Sequence, residues 1–242
     1  MALSLSTGPS NTSTSSNNEQ EQPTCSHEEF WVFSQVSQWG SNWDYSRNDH
    51  LEEISRIMMN IRTMGIENSF PPRLVHYTQI LLWRFYLKED PKKFPFSDII
   101  PIAFESAGHI LETKPVKDLV SNSITGGHRN ADKINEFKLH FKLITSLDFS
   151  LRIHHPSDYL NEFFTQQATE NQLQLAECII SDSYLCPCCL VHKPERIAEG
   201  AALMAAGMTN SPNAVIPKSQ EALSFVRDMQ YFYTQNIPRN LK

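Results

Sequence analysis

The sequence predicts an all-α protein built from two tandem sets of helices. Three observations carry that prediction. Apolar residues recur at spacings of three and four along most of the chain, the period of a helix with one buried stripe. Only 8 of 242 residues are Gly, and no short alternating strands stand between turn signals. A short link at 146–156 separates two amphipathic series. In it Leu147, Phe149, Leu151 and Ile153 alternate until Pro156 stops the pattern. The link reads as an extended crossing from one helical set to the next, with Pro at the start of the new set.

Residues 1–24 are almost entirely Ser, Thr, Asn, Gln and Glu. They hold too little apolar surface to offset chain entropy, so a disordered tail is expected. Phe30-Trp31-Val32-Phe33 is expected to pack as a leading helix, and Trp39 and Trp43 to help cover the first helical set. Over 49–64, Leu51, Ile54, Ile57, Met58, Ile61 and Met64 form one stripe, with Gly65 as the stop. Pro71-Pro72 opens a second helix with Leu74, Tyr77, Ile80, Leu81 and Phe85 inward. A third helix over 97–111 is apolar nearly all round at its start, which predicts the central and most buried helix of its set. Pro115 starts a short fourth through Leu119-Val120, and Thr125-Gly126-Gly127 is a loop. The fifth covers 131–147, with Ile134, Phe137, Phe141, Ile144 and Leu147 inward. The second set is expected at 157–164, 171–185, 194–208 and 218–234, with a loop at 210–217. Its central helix is rich in small residues, Ala198, Ala201, Ala202, Ala205 and Ala206.

Composition narrows the function classes. Hydrophobic content of 40% and charged content of 20% are those of a globular protein. A net charge of −6 argues against general nucleic-acid binding, which needs a basic face for phosphate. No apolar run approaches the roughly 20 residues of a membrane span, and no secretory signal is expected. Five Cys, four of them between Cys178 and Cys189, are not a spread disulfide framework, so a reducing compartment is expected.

Three constellations invite chemistry. Cys186-Pro187-Cys188-Cys189 with His192 has the look of a zinc half-site. No second pair at suitable spacing completes it, although His154-His155 could approach. Small buried filler is the favoured reading, and no metal or cofactor is expected. His154-His155 could titrate near neutral pH; His155 is read instead as capping or packing at a helix start. Ser181-Asp182-Ser183 with His192 lacks the strained Gly-x-Ser-x-Gly turn of a nucleophile, and no Gly-rich loop cradles phosphate. The chain is not expected to be an enzyme.

Several short stretches resemble one family in order and spacing. Trp83-Arg84-Phe85-Tyr86 followed by Phe94-Pro95 is similar to the second-helix ending of the transcriptional cyclins. Ala107-Gly108-His109-Ile110-Leu111-Glu112-Thr113, then Lys117-Asp118-Leu119-Val120, resembles their Ala-x-Lys-Val-Glu-Glu-Thr…Lys-Asp-Ile-Ile stretch. The link with its His155-Pro156 resembles the joint between cyclin boxes. Ser181-Asp182-Ser183, Lys193-Pro194 and Ile197-Ala198 resemble the pattern of the second box. The resemblance covers about residues 30–235. It is strongest to the K type, and extends to the T and L types.

The resemblance implies two tandem five-helix cyclin boxes, a first with its leading helix at 25–150 and a second at 151–242. It implies a nuclear regulatory subunit that binds and activates a cyclin-dependent kinase as a heterodimer, acting on the RNA polymerase II C-terminal tail, with no direct nucleic-acid or membrane partner. By the same resemblance the partner-binding residues are His109, Glu112, His140, Ile144, Phe149 and Leu151. His109 and His140 stand where the family carries Lys and Glu, so His109 would donate to the partner and His140 accept. Leu111 replaces the first Glu of the family's pair. These substitutions leave a second reading open, a diverged cyclin-fold adaptor that binds a non-kinase protein or transcription complex.

Overall fold

The computed structural model describes residues 49–114, 116, 119–120, 123–124, 133–211, 215 and 219–240. The expected tail, leading helix and aromatic cover (Trp39, Trp43), most of the Pro115 helix and the Gly126-Gly127 loop lie outside the described residues. Among the described residues eight α-helices are bounded, in order: α1 Asp49–Glu67, α2 Pro72–Lys88, α3 Phe96–Ile110, α4 Lys133–Ser146, α5 Glu170–Ser183, α6 Cys188–Val191, α7 Pro194–Met208 and α8 Glu221–Asn240. Helical residues at 119–120 and 123–124 stand where the short fourth helix was expected. Among the described residues there is no sheet, only an isolated bridge between Phe164 and Val215, and no helix is long and apolar enough to cross a membrane.

Helix α1 buries Leu51, Ile54, Met58 and Ile61 on one stripe. Gly65 was expected to end it, but α1 continues to Glu67. A Cβ on Gly65 would stand 2.5 Å from Val75 Cγ2, so the glycine is there for close approach of α2. The stop is made by Ser69 at φ 53°, with Phe70 N–H returning to the Gly65 carbonyl at 2.8 Å.

Helix α2 is buried without interruption from Leu74 to Tyr86. This corrects the expectation that α3 is the most buried helix of the first set. The reason is that α2 has neighbours on every side: α1 and α3 on one, the link and the second set on the other. Trp83 Nε1–H donates to the Tyr184 carbonyl at 2.9 Å, and Gln79 Nε2 donates to the Met58 carbonyl at 3.0 Å. Helix α3 buries Ile99, Ile100, Ile102, Ala103, Phe104 and Ala107, and accommodates Pro101 in its interior.

Helix α4 turns differently from its expected orientation. Its buried residues are Leu143 and Ser146, and Leu147 just beyond its end is buried too. Phe137 and Phe141, expected inward, are 71% and 58% exposed. Two stripes at helical spacing compete on this segment, and its packing against α3 and α2 selects the one through Leu139 and Leu143. The Ile134 side chain lies outside the described part. The link is not extended from its start either. Asp148 and Phe149 are both left-handed, at φ 52° and 58°, and the extended chain begins at Ser150.

In the second set, two 3-10 turns, Pro156–Asp158 and Leu160–Glu162, replace the expected helix over 157–164. Helix α5 starts on a capping box in which Thr169 and Gln172 bond each other's backbone. Residues Cys188–Val191, expected as loop, form the single turn α6. Helix α7 matches its expected span and buries Ala198, Ala201, Ala202 and Ala205 completely. A Cβ on Gly200 would stand 2.4 Å from Phe225 Cδ1, so the small residues of α7 set its close packing on α8.

Candidate partner-docking face

The outer surface of the first helical set carries an apolar stripe. On α4, Phe137, Phe141 and Ile144 follow one another at spacings of four and three, which places them on one helix face. The stripe leads past the helix end to Phe149, whose side chain is 69% exposed. Ile144 is half-buried, and Leu151 is half-buried and rests against the core. Three exposed phenylalanines on one short stretch leave much apolar surface in water, the mark of a surface that another molecule covers.

Phe149 is held there by the backbone. Left-handed φ is uncommon for a residue with a bulky side chain, and two such residues in succession are rarer. Phe149 N–H bonds the Ile144 carbonyl at 3.0 Å, which closes α4. Helix α2 then clamps the link from beneath. Lys88 Nζ meets Asp148 at 2.5 Å, Arg84 donates to the Ser150 carbonyl at 2.7 Å, and Tyr77 OH bonds both the carbonyl and the N–H of Ile153, at 2.5 and 3.2 Å. Strained backbone conformations persist where the surroundings over-determine them, and they gather at binding sites.

Beside the stripe, the two substituted histidines converge on one carboxylate. His140 Nε2 lies 2.9 Å from Glu105 Oε2, and His109 Nε2 lies 3.9 Å from Glu105 Oε1. A carboxylate only accepts, so the His140 Nε2–H donates to Glu105 here, which leaves Nδ1 as the acceptor of a neutral ring. Glu136, one turn before His140, completes a group with Glu105 and His140 whose ligand atoms all lie within 4.8 Å of one another. His109 is exposed on the last turn of α3. Glu112 is exposed just past that helix, on a left-handed residue at φ 52°. Sequence reasoning missed Glu105 and Glu136. Their signal was available, since each precedes a singled-out histidine by four residues.

His76 and His155 belong to the interior. Ser157 N–H donates to His155 Nδ1 at 3.2 Å, which leaves the proton of His155 on Nε2. That Nε2–H faces His76 Nδ1 at 2.9 Å, and His76 Nε2–H then donates to Ser181 Oγ at 3.1 Å. Burial lowers His76 to about 3, with help from His155 and Arg62. Burial and Arg73 lower His155 to about 4, against a rise from Asp158. Both rings are therefore neutral at physiological pH, and His76 cannot take a proton from Ser181, since its facing nitrogen already carries one. His155 does cap the 3-10 turn that follows it.

The cysteine cluster is internal as well. Cys186, Cys188 and Cys189 are buried. A hydrogen bond from Cys186 and burial push the Cys188 thiol up, and burial with neighbouring Cys186 pushes Cys189 up. Such thiols stay protonated, and metals take thiolates. His192 pairs with Asp228 at 2.7 Å in the same core.

No protein-family model matches the chain. A curated relative, Cyclin-T1-3 of Oryza sativa subsp. japonica, is 23% identical over 209 residues, 72% of this chain and 42% of the relative's length. Solved structures match it over most of its length. The yeast RNA polymerase II CTD kinase CTDK-1 complex contains a chain with a TM-score of 0.69 and 14% identity, over 86% of this chain and 74% of that one. The yeast TFIIK (Kin28/Ccl1/Tfb3) complex gives a TM-score of 0.60 and 16% identity, over 84% and 95%. The CAK complex of Chaetomium thermophilum gives 0.55 and 13%, over 79% and 59%. The chain has the cyclin fold, and the proteins it is similar to are the transcriptional cyclins.

Proposed function

We propose that this chain is a nuclear regulatory subunit, and not an enzyme, that docks and activates a cyclin-dependent kinase acting on the RNA polymerase II C-terminal tail, with 25–150 and 151–242 as its two cyclin boxes. The observation that carries the reading is the apolar stripe Phe137–Phe141–Ile144–Phe149 on a cyclin fold. Apolar anchors supply most of the affinity at an interface, while polar neighbours set orientation. The stripe lies on α4 and the link, beside the end of α3 where His109 and Glu112 stand. Docking there would stabilise the active pose of a kinase's mobile helix, so that activation is a population shift supplied by interface free energy. Leu151 is packed on the core, and its N–H donates to the Phe149 carbonyl at 3.1 Å. Affinity capture of the full chain from its own cells, followed by assay of the captured kinase on a polymerase-tail peptide, tests the reading. We expect a kinase in one-to-one complex whose activity falls with Phe149→Ala. Capture of a stable partner that is not a kinase would replace it with the adaptor reading. One observation favours that alternative: His140 is engaged within the chain by Glu105, where the family presents a free acceptor to the kinase.

A further inference from the structure

We propose that Glu105, Glu136 and His140, with His109 as fourth ligand, form a site for a divalent transition cation of the zinc class between α3 and α4. The argument begins in the sequence. Each helix carries a Glu four residues before a His: Glu105 and His109 on α3, Glu136 and His140 on α4. Residues four apart share a helix face, so each helix presents one carboxylate and one imidazole together. The two helices pack against each other, and the two faces meet. Ligand atoms of Glu105, Glu136 and His140 already lie within 4.8 Å of one another, and His109 Nε2 is 3.9 Å from Glu105. Around a tetrahedral zinc with bonds of about 2.0–2.2 Å, ligand atoms stand roughly 3.3–3.5 Å apart, so Glu105, Glu136 and His140 need only draw together by about an ångström, and His109 would join them by turning its exposed side chain inward.

The donor set also fits by charge and by chemical class. Two carboxylates balance a dication, and two neutral imidazoles add nitrogen donors that transition metals favour over Mg²⁺ or Ca²⁺. Glu105, Glu136 and His140 are half-buried, which limits competition from water without closing the entry path. The cysteine cluster, the more obvious metal candidate in the sequence, is buried, with its Cys188 and Cys189 thiols pushed up. The site makes use of both histidines that stand where the family carries Lys and Glu, and it holds whether or not the chain docks a kinase.

The test uses the full chain, stripped with chelator and dialysed. Co²⁺ is titrated with visible absorption as readout, and Zn²⁺ by calorimetry. We expect one equivalent with Kd below about 10 μM, proton release on binding, and no competition from millimolar Mg²⁺ or Ca²⁺. His140→Ala and Glu136→Gln should each weaken binding at least tenfold, with unchanged helical circular dichroism. His109→Ala should weaken it several-fold; unchanged affinity there would remove His109 from the ligand set. Zn²⁺ should raise the Tm of the wild type and not that of His140→Ala. Cys25→Ser and Cys178→Ser should keep wild-type affinity. Absence of binding at 100 μM metal, equal affinity in His140→Ala and Glu136→Gln, or loss of binding in either cysteine variant would overturn the site.

Discussion

The link between the two halves and the outer stripe of α4 are a few residues apart and are built on opposite terms. From Ser150 to His155 the chain is fastened to α2 by Arg84, Tyr77 and His76, and Trp83 ties the same helix to Tyr184. Along the outer stripe Phe137, Phe141 and Phe149 face water, while Leu143 and Leu147 on the opposite side turn toward α3 and α2. Both regions read as apolar periodicity in the sequence. The difference teaches that apolar spacing marks a face, and that which face is buried depends on what packs against it.

The comparison breaks first at the joint. Trp83 is fully buried, so Trp83→Ala should lower unfolding free energy by about 3–5 kcal/mol, through lost contacts and the orphaned Tyr184 carbonyl. Urea unfolding measures it. A loss under about 1 kcal/mol would mean that the halves are not held through α2.

The next largest effect is of pH. His76 and His155 sit at about 3 and 4, below the ordinary value near 6.5. The unfolded chain therefore binds protons that the folded chain refuses. The stability they contribute is fully present above about pH 6.5 and is lost as pH falls toward 4, by on the order of 1 kcal/mol per pH unit for each histidine. Denaturant midpoints from pH 7.5 to 4.5 should show this fall, and His155→Gln should flatten it. Equal slopes in wild type and variant would sink the assignment.

Phe149 sharpens the contrast. Phe149→Ala should reduce partner affinity by at least about 2 kcal/mol, more than tenfold, with little change in folding stability. Phe149→Gly should lose the same affinity while unfolding within about 1 kcal/mol of wild type, on the stable side, because glycine adopts the left-handed backbone without strain. Measured together, binding and unfolding separate a docking anchor from a core residue. If both variants destabilise the fold by several kcal/mol and retain the partner, the stripe is structural. The smallest effect belongs to the clamp's exposed end. Lys88→Ala should cost less than about 1 kcal/mol, as an exposed ion pair does, and added salt should erase it.

Much of the fold was legible because its signals are local. Pro194 opens α7 and the small residues of that helix announce close packing; Pro71-Pro72 start α2. The joint was legible only as a joint. Its clamp unites residues 60 to 76 positions apart, and the buried chain from Ser157 through His155 and His76 to Ser181 unites three segments. Gly65 misled for a related reason: its lack of a side chain serves an approach by Val75, which the local sequence does not show. At the candidate site, His109, His140 and Phe149 were named through the family resemblance, and Glu105 and Glu136 were signalled by standing four residues before the two histidines, whereas the exposure of Phe137 and Phe141 could not be read. The phenylalanines were assigned inward because they repeat at helical spacing.

By itself, then, the sequence determined the helical class, the order and approximate ends of the elements, and the two-set plan, since periodicity, capping and proline placement act within a few residues. The tertiary structure decided that α2 is the buried axis, that α4 turns Phe137 and Phe141 to solvent, and that three ligand-type side chains, Glu105, Glu136 and His140, converge between α3 and α4. Each depends on which of several possible faces a helix gives to its neighbours, and that choice is settled by the packing of segments distant in the chain.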